Sequence, residues 1–197
     1  MKKSNSIKYI AKIGVLSAVA TVLMFFEIPL WFAPSFYKLD FSEIPILIGS
    51  FALGPVAGVL MELIKNVLNL IIEGTTTAFV GEFANFVTGC AFVLPAAIIY
   101  KHHKSLKTAL LGLGIGALTL VCVGALINYF VLIPAFSEMY KLPLEKIVGM
   151  GTAVNSSITD LKTLIIFAVM PFNLFKAVVC SLLTLVLYKR ISKILHI

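Results

Sequence analysis

Five apolar runs, at residues 10–26, 44–72, 83–100, 109–133 and 163–188, take up most of this sequence. A helix needs about 20 mostly apolar residues to cross the hydrocarbon of a bilayer, and runs of this length are candidates for such crossings. With 60% hydrophobic and 13% charged residues and a mean hydropathy of +1.04, the 197-residue chain carries more apolar side chain than one soluble core can hide. The surplus has to face lipid. The fold class expected is therefore an all-α integral membrane protein, a single transmembrane domain over residues 1–197 with about six crossings and short loops.

Charge sets the number of crossings and their direction. Lysine and arginine collect on cytoplasmic flanks, and three basic clusters lie just beyond apolar runs: Lys2, Lys3, Lys8 and Lys12; Lys101, Lys104 and Lys107; Lys189, Arg190 and Lys193. If all three lie inside, an even number of crossings separates Lys12 from Lys101. The run 44–72 must then be two helices, broken at Gly54-Pro55, where proline removes a donor and glycine relaxes the backbone. The expectation is six helices with both termini cytoplasmic and outer loops at about 27–43, 73–81 and 134–162. The formal charge of +7 sits at these flanks, which reads as topology and not as a nucleic-acid surface. The basic N-terminus runs into its apolar stretch without a small-x-small cleavage pattern, so a retained first span is expected.

Polar side chains inside the runs are the next constraint, because each costs a few kcal/mol at membrane depth without a partner or a cavity. Glu62, Asn66, Asn69 and Glu73 are spaced by four, three and four residues, which is one face of a helix. Lys65 can neutralise Glu62 or reach to another helix. Glu82 and Asn85 begin the fourth helix, Asn128 and Tyr129 lie near the outer end of the fifth, and Asn173 and Lys176 lie near the middle of the sixth. Their convergence at similar depth points to one pocket entered from outside. The alternative for each residue taken singly is a hydrogen bond between helices, and Glu27 and Glu62 read equally well as ion-pair partners.

Trp31, Phe32, Phe36 and Tyr37 in the first outer loop, and Phe79, Phe83 and Phe86 around the start of the fourth helix, are candidates to stack on a planar ligand or to form the interfacial aromatic belt. Residues 74–77 (GTTT) supply hydroxyls and backbone amides beside the pocket, or make a plain turn. Gly14 and Ala18, with Ser17 and Thr21, and Gly112 with Gly116, form small-residue faces expected toward lipid, where another helix can approach; the alternative is internal packing.

Several chemistries lack their motifs. There is no GxxxxGK[ST] for ATP hydrolysis, no HExxH or GxSxG, and no metal-ligand spacing among Cys90, Cys122 and Cys180, which read as small apolar packers. His102, His103 and His196 fall in cytoplasmic flanks. No duplicated half marks a self-sufficient secondary transporter. What remains is a binding subunit that borrows its energy elsewhere, with no metal and no resident cofactor.

Five stretches carry a family resemblance: KLDFSEIP at 38–45, GSFALGPVAG at 49–58, ELIKN at 62–66, TTT at 75–77 with GEFAN at 81–85, and PFNLFK at 171–176. The chain resembles the substrate-binding S components of energy-coupling factor transporters, of the riboflavin-binding type. The segment 134–162 is the least matched part. The resemblance implies a six-helix S-component fold in the bacterial plasma membrane and high-affinity binding of riboflavin from outside, as transported ligand and not cofactor. It also implies docking onto a transmembrane coupling protein and two cytoplasmic ATPases. Gly14 and Ala18 stand where the family has small residues on its coupling surface. Riboflavin joins a flat ring to a hydroxylated chain and needs apolar walls beside hydrogen-bonding groups. On this reading Asn128, Asn173 and Lys176 hydrogen-bond the ligand, and Leu39, Asp40, Thr76, Glu82 and Asn85 shape the outer rim. The rival readings are an S component for another vitamin, a self-sufficient transporter or channel, and a membrane enzyme using Glu62 or Glu82.

Overall fold

The computed structural model describes residues 2–75 and 77–195, without the side chains of residues 2–5, Lys189 and residues 191–195. Thr76 and His196, and the side chains of Lys2, Lys3, Lys189 and Lys193, lie outside what is described. Helix α1 spans Lys2–Met24. A small antiparallel hairpin follows, β1 at Ile28–Pro29 and β2 at Lys38–Leu39, with Ile28 opposite Leu39. Then come α2 at Glu43–Leu53, α3 at Pro55–Glu73 and α4 at Val80–His102. Helix α5 runs over Leu106–Met139 through a π turn at Asn128–Leu132. After α6 at Leu144–Thr152, α7 begins at Leu161–Leu164, passes a π turn at Ile165–Val169 and continues over Met170–Leu195.

Five of these helices, α1, α3, α4, α5 and α7, are long and apolar enough to cross a membrane. The run 44–72 does divide at Gly54-Pro55: Gly54 has φ 102°, a backbone conformation that favours glycine, and Pro55 opens α3, where a missing N–H costs nothing. Helix α2 is different in kind. Its 11 residues make it about 16 Å long at 1.5 Å per residue, short of a hydrocarbon core of about 30 Å. Its residues from Glu43 to Phe51 are all buried, and it packs against α1, α3, α4 and α7.

Small residues decide how closely the helices approach. Gly112 and Gly116 turn inward to α4, against the expectation that they face lipid: a Cβ on Gly112 would lie 2.7 Å from the Ala96 carbonyl oxygen, and one on Gly116 would meet that of Phe92. Spacing alone does not say which side of a helix a small-residue stripe takes. Gly14 and Ala18 do lie exposed on α1, with open space over Gly14. The neighbouring hydroxyls are buried and bonded to their own helix, Ser17 to the Ile13 carbonyl at 2.8 Å and Thr21 to that of Ser17 at 2.9 Å.

At one end of the bundle Phe51 stacks on Tyr100, with ring centroids 4.5 Å apart, and the hydroxyls of Tyr100 and Tyr188 lie 3.2 Å from each other. At the other end the segment expected as an outer loop at 134–162 is instead largely helical. Helix α5 continues to Met139, and Ile147 and Val148 of α6 pack with Ile133, Ile158 and Leu164 into a second apolar cluster. Each π turn lies just before a proline, Pro134 or Pro171, which has no N–H to give to the carbonyl four residues earlier. The helix widens there, and the widening sets the aspect of Asn128, in the first π turn, and Asn173, just past the second.

Close packing at Gly116 gives a direct check. Gly116→Ala is expected to lower the melting temperature in detergent. Gly114→Ala, which meets open space, is expected to leave it unchanged or raise it, since alanine is the better helix former by about 1 kcal/mol.

Candidate ligand-binding site

A cavity of about 280 Å³ opens between the hairpin and helices α4, α5 and α7. Tyr37 and Asp40 come from the hairpin segment, Asn85 and Thr88 from α4, Asn128 from α5, and Phe172, Asn173 and Lys176 from α7. Two further spaces adjoin it. Across Phe36, Tyr37, Asn128 and Leu132 lies an apolar cavity of about 410 Å³, walled by Ile133, Phe136, Ile147 and Met150. Across Met24, Gly81 and Asn85 lies a smaller one of about 190 Å³ that reaches Thr77, Glu73 and Glu82. An apolar space beside a few convergent polar groups is the ordinary make-up of a small-molecule site.

Charge inside the wall is paired. Lys176 Nζ lies 2.7 Å from Asp40 Oδ2, with the two side chains only 14% and 10% exposed. Asp40 Oδ1 accepts from the Ser42 backbone N–H at 2.9 Å and from its hydroxyl. Burial by itself would raise the Asp40 carboxyl; the neighbouring Lys176 and Lys65 ammonium groups, with the hydrogen bonds from Lys176 and Ser42, outweigh it and hold the carboxyl down at about 2. One layer deeper, Lys65 Nζ sits 2.9 Å from Glu43 Oε1 and 2.7 Å from Glu62 Oε2, all three side chains essentially inaccessible. It also reaches Ser42 Oγ at 3.4 Å, which links this cluster to the Asp40 pair. The Glu62 carboxylate lies directly behind the cavity wall, since a Cβ on Gly89 would be 2.5 Å from it. Buried ion pairs of this kind fix geometry more than they add stability.

The three amides of the polar cavity divide into a fixed one and two free ones. Tyr37 donates its hydroxyl to Asn128 Oδ1 at 2.6 Å, and Asn128 Nδ2 donates to the Gly124 carbonyl at 2.8 Å, so the orientation of this amide is set. Burial pushes the Tyr37 phenol above its ordinary value, which keeps it a donor. Asn173 lies close against α5, where a Cβ on Gly124 would stand 2.7 Å from its Nδ2. Asn85 and Asn173 both face the cavity, and neither side chain makes a hydrogen bond to a described residue.

Of the residues singled out in the sequence, Asp40, Asn85, Asn128, Asn173 and Lys176 are brought together around one cavity. Glu82 lies in the smaller adjoining space, where it accepts from Thr77 Oγ1 at 2.8 Å. Leu39 is buried in the hairpin and does not line the cavity. Thr76 lies outside the described residues. Glu62 and Glu27 are ion-pair partners, of Lys65 and Lys38. Phe36 and Tyr37 form cavity wall, whereas Trp31, at 89% exposed, points away, as do Phe79 and Phe83. The sequence reading missed Thr88, Phe172 and the apolar wall from α5 and α6. A threonine or phenylalanine inside an apolar run carries no signal of its own, and the 134–162 segment had no matching motif.

Comparison with known proteins places this geometry. The family model described as "ECF transporter, substrate-specific component" matches residues 8–188. The riboflavin transporter RibU of Staphylococcus aureus (strain TCH60) is 36% identical over 188 residues, 95% of this chain and 92% of the relative. The riboflavin transporter FmnP of Bacillus subtilis (strain 168) is 33% identical over 176 residues, 89% and 87% of the two chains. A solved structure described as the S component of a bacterial ECF transporter superposes with a TM-score of 0.73 at 36% identity, over 96% of this chain and 98% of that one.

The Asp40–Lys176 pair should behave as a unit. Lys176→Met leaves a buried carboxylate unmatched and should cost about 3–5 kcal/mol, while Asp40→Asn with Lys176→Met should recover a large part of that in thermal melts. Because the folded Asp40 value is depressed, its contribution is fully present above the ordinary carboxylate value near 4 and is lost as pH falls toward about 2. The share of stability owed to this pair, read as a double-mutant cycle, should thus be flat from pH 8 to pH 5 and shrink only below that.

Proposed function

The chain belongs to the family of substrate-specific components of ECF transporters, and we propose that it binds riboflavin in the cavity between the hairpin, α4, α5 and α7. One observation carries the reading: two amides, half-buried Asn85 and buried Asn173, face a cavity beside an apolar chamber and make no hydrogen bond to a described residue. A hydrogen bond left unmade by a buried amide costs about 1–3 kcal/mol, so a ligand that desolvates these two must offer them hydrogen-bonding groups. The hydroxylated chain and ring heteroatoms of riboflavin suit Asn85, Asn128, Asn173 and Lys176, and its ring suits the wall of Phe36, Leu132 and Phe136. Asp40 orients Lys176, Glu82 and Thr76 shape the rim, and Leu39 supports it.

In this reading residues 1–197 act as one substrate-binding domain with six helices, α2 counted among them, in the bacterial plasma membrane. Both termini are cytoplasmic. The cavity lies at the ends of α1 and α4 marked by Met24 and Gly81, away from the basic ends at Lys101 and Arg190, and so faces outward under the positive-inside rule. Inward delivery is driven by a transmembrane coupling protein and two ATPase subunits, with the exposed Gly14 and Ala18 face of α1 as the docking surface.

Detergent-purified protein should carry a flavin absorbance band or take one up on titration with riboflavin at one per chain; a protein that stays colourless and unsaturable contradicts the assignment. Asn173→Ala should weaken riboflavin binding at least about tenfold, the loss of one buried hydrogen bond or more, with expression retained. Unchanged affinity would remove Asn173 from the site.

A further inference from the structure

The face where α5 meets α7 near their basic ends lies outside the ligand cavity and is grooved. One depression of about 180 Å³ is walled by Leu110, Gly114 and Ala117 of α5 and by Val178, Ser181 and Leu182 of α7. It shares Leu185 with a second, of about 410 Å³, lined by Leu106, Val186 and Arg190. Together they run along α7 from Val178 to Arg190, twelve residues on, which is about 18 Å at 1.5 Å per residue. Gly114 is exposed with open space over it, so the missing side chain is part of the trough.

Charge along this groove has one sign. No acid occurs from residue 83 to residue 137 or from residue 161 to residue 197. Arg190 closes the end of the groove, Lys107 follows Leu106 of its wall, and Lys101 and Lys104 lie at the junction of α4 with α5. All four are exposed, and among the described residues none of them has an ion pair. A guanidinium is always charged, and its fork of N–H donors matches a phosphate. An apolar trough that ends in an unpaired guanidinium is complementary to an amphiphile with an anionic head.

We propose that the groove between α5 and α7 binds an anionic phospholipid, with an acyl chain laid along Gly114 and Ala117 and the phosphate on Arg190. Length selects this occupant. Half of a hydrocarbon core of about 30 Å is about 15 Å, so a groove of about 18 Å holds a chain from a single leaflet. A membrane-crossing helix of another subunit would call for contact through the whole core. Charge selects the head group, since a zwitterionic one brings its own ammonium to the same place and offers Arg190 less. Arg190 belongs to the basic ends that the positive-inside rule puts in the cytoplasm, and the lipid is therefore one of the inner leaflet.

The test records native mass spectra of the purified full chain in detergent with equal amounts of dioleoyl phosphatidylglycerol and dioleoyl phosphatidylcholine. The chain should retain phosphatidylglycerol at least about fivefold over phosphatidylcholine, the preference that one basic side chain gives toward an anionic lipid. Arg190→Gln should abolish that preference. Gly114→Leu, which fills the trough, should lower retention of phosphatidylglycerol at least about fivefold, as for one or two methylenes of the chain losing their contact. Lys8→Gln, which removes a charge at the same end but on α1, should change neither. Folding of each variant is read from its thermal melt, so the outcome does not hang on riboflavin. Equal retention of the two lipids overturns the inference, as does a preference lost alike in Lys8→Gln and Arg190→Gln, which would describe a charged surface without a site. Unchanged retention in Gly114→Leu also overturns it, and so does a dimer in detergent that Gly114→Leu dissociates, which would make the groove the seat of a second copy.

Discussion

The contact between Lys176 and Asp40 ties the last helix to the hairpin that closes the cavity, and much of the site follows from it. A lone ammonium at this depth would be too expensive to keep ionised, and a lone carboxylate equally so. Paired at 2.7 Å they hold each other, and Ser42 passes the restraint on to Lys65, Glu43 and Glu62. Helices α2, α3 and α7 and the hairpin are thereby registered through polar contacts, which lipid does not weaken. Greasy packing alone would not give this register, because side chains of equal hydrophobicity slide past one another at little cost.

The hydrophilic residues inside the bundle thus do two separate jobs. Glu43, Glu62 and Lys65 are ion-paired with one another inside the bundle. Asn85 and Asn173 are not tied to the protein in this way: they face open space. Asn128 stands between, its amide fixed by Tyr37 and Gly124 but still part of the wall. This division separates a site from a bundle that is merely held together by hydrogen bonds.

Much of the arrangement was legible in the sequence because membranes make polar residues conspicuous. Asp40, Asn85, Asn128, Asn173 and Lys176 stand out in or beside apolar runs, and parity of the basic clusters forced the break that Gly54 and Pro55 provide. Legibility failed where the deciding quantity was rotation about a helix or burial of an ordinary residue. Gly112 and Gly116 show the same small-residue pattern as Gly14 and Ala18, yet one pair faces α4 and the other is exposed. The apolar chamber was invisible because its wall comes from α6 and the end of α5, in a stretch whose composition reads as loop. The π turns were foreshadowed by Pro134 and Pro171, but a proline announces only that a carbonyl loses its partner, not how the helix absorbs the loss.

The central claim is that the unmatched amides exist to hold a flavin, and a structure of the protein with riboflavin bound tests it most directly. The account predicts ligand density in the polar cavity, with hydrogen bonds from Asn173 and Lys176 and the ring against Leu132 and Phe136. Density at any other place, with Asn85 and Asn173 turned to protein partners and the cavity closed, would contradict it.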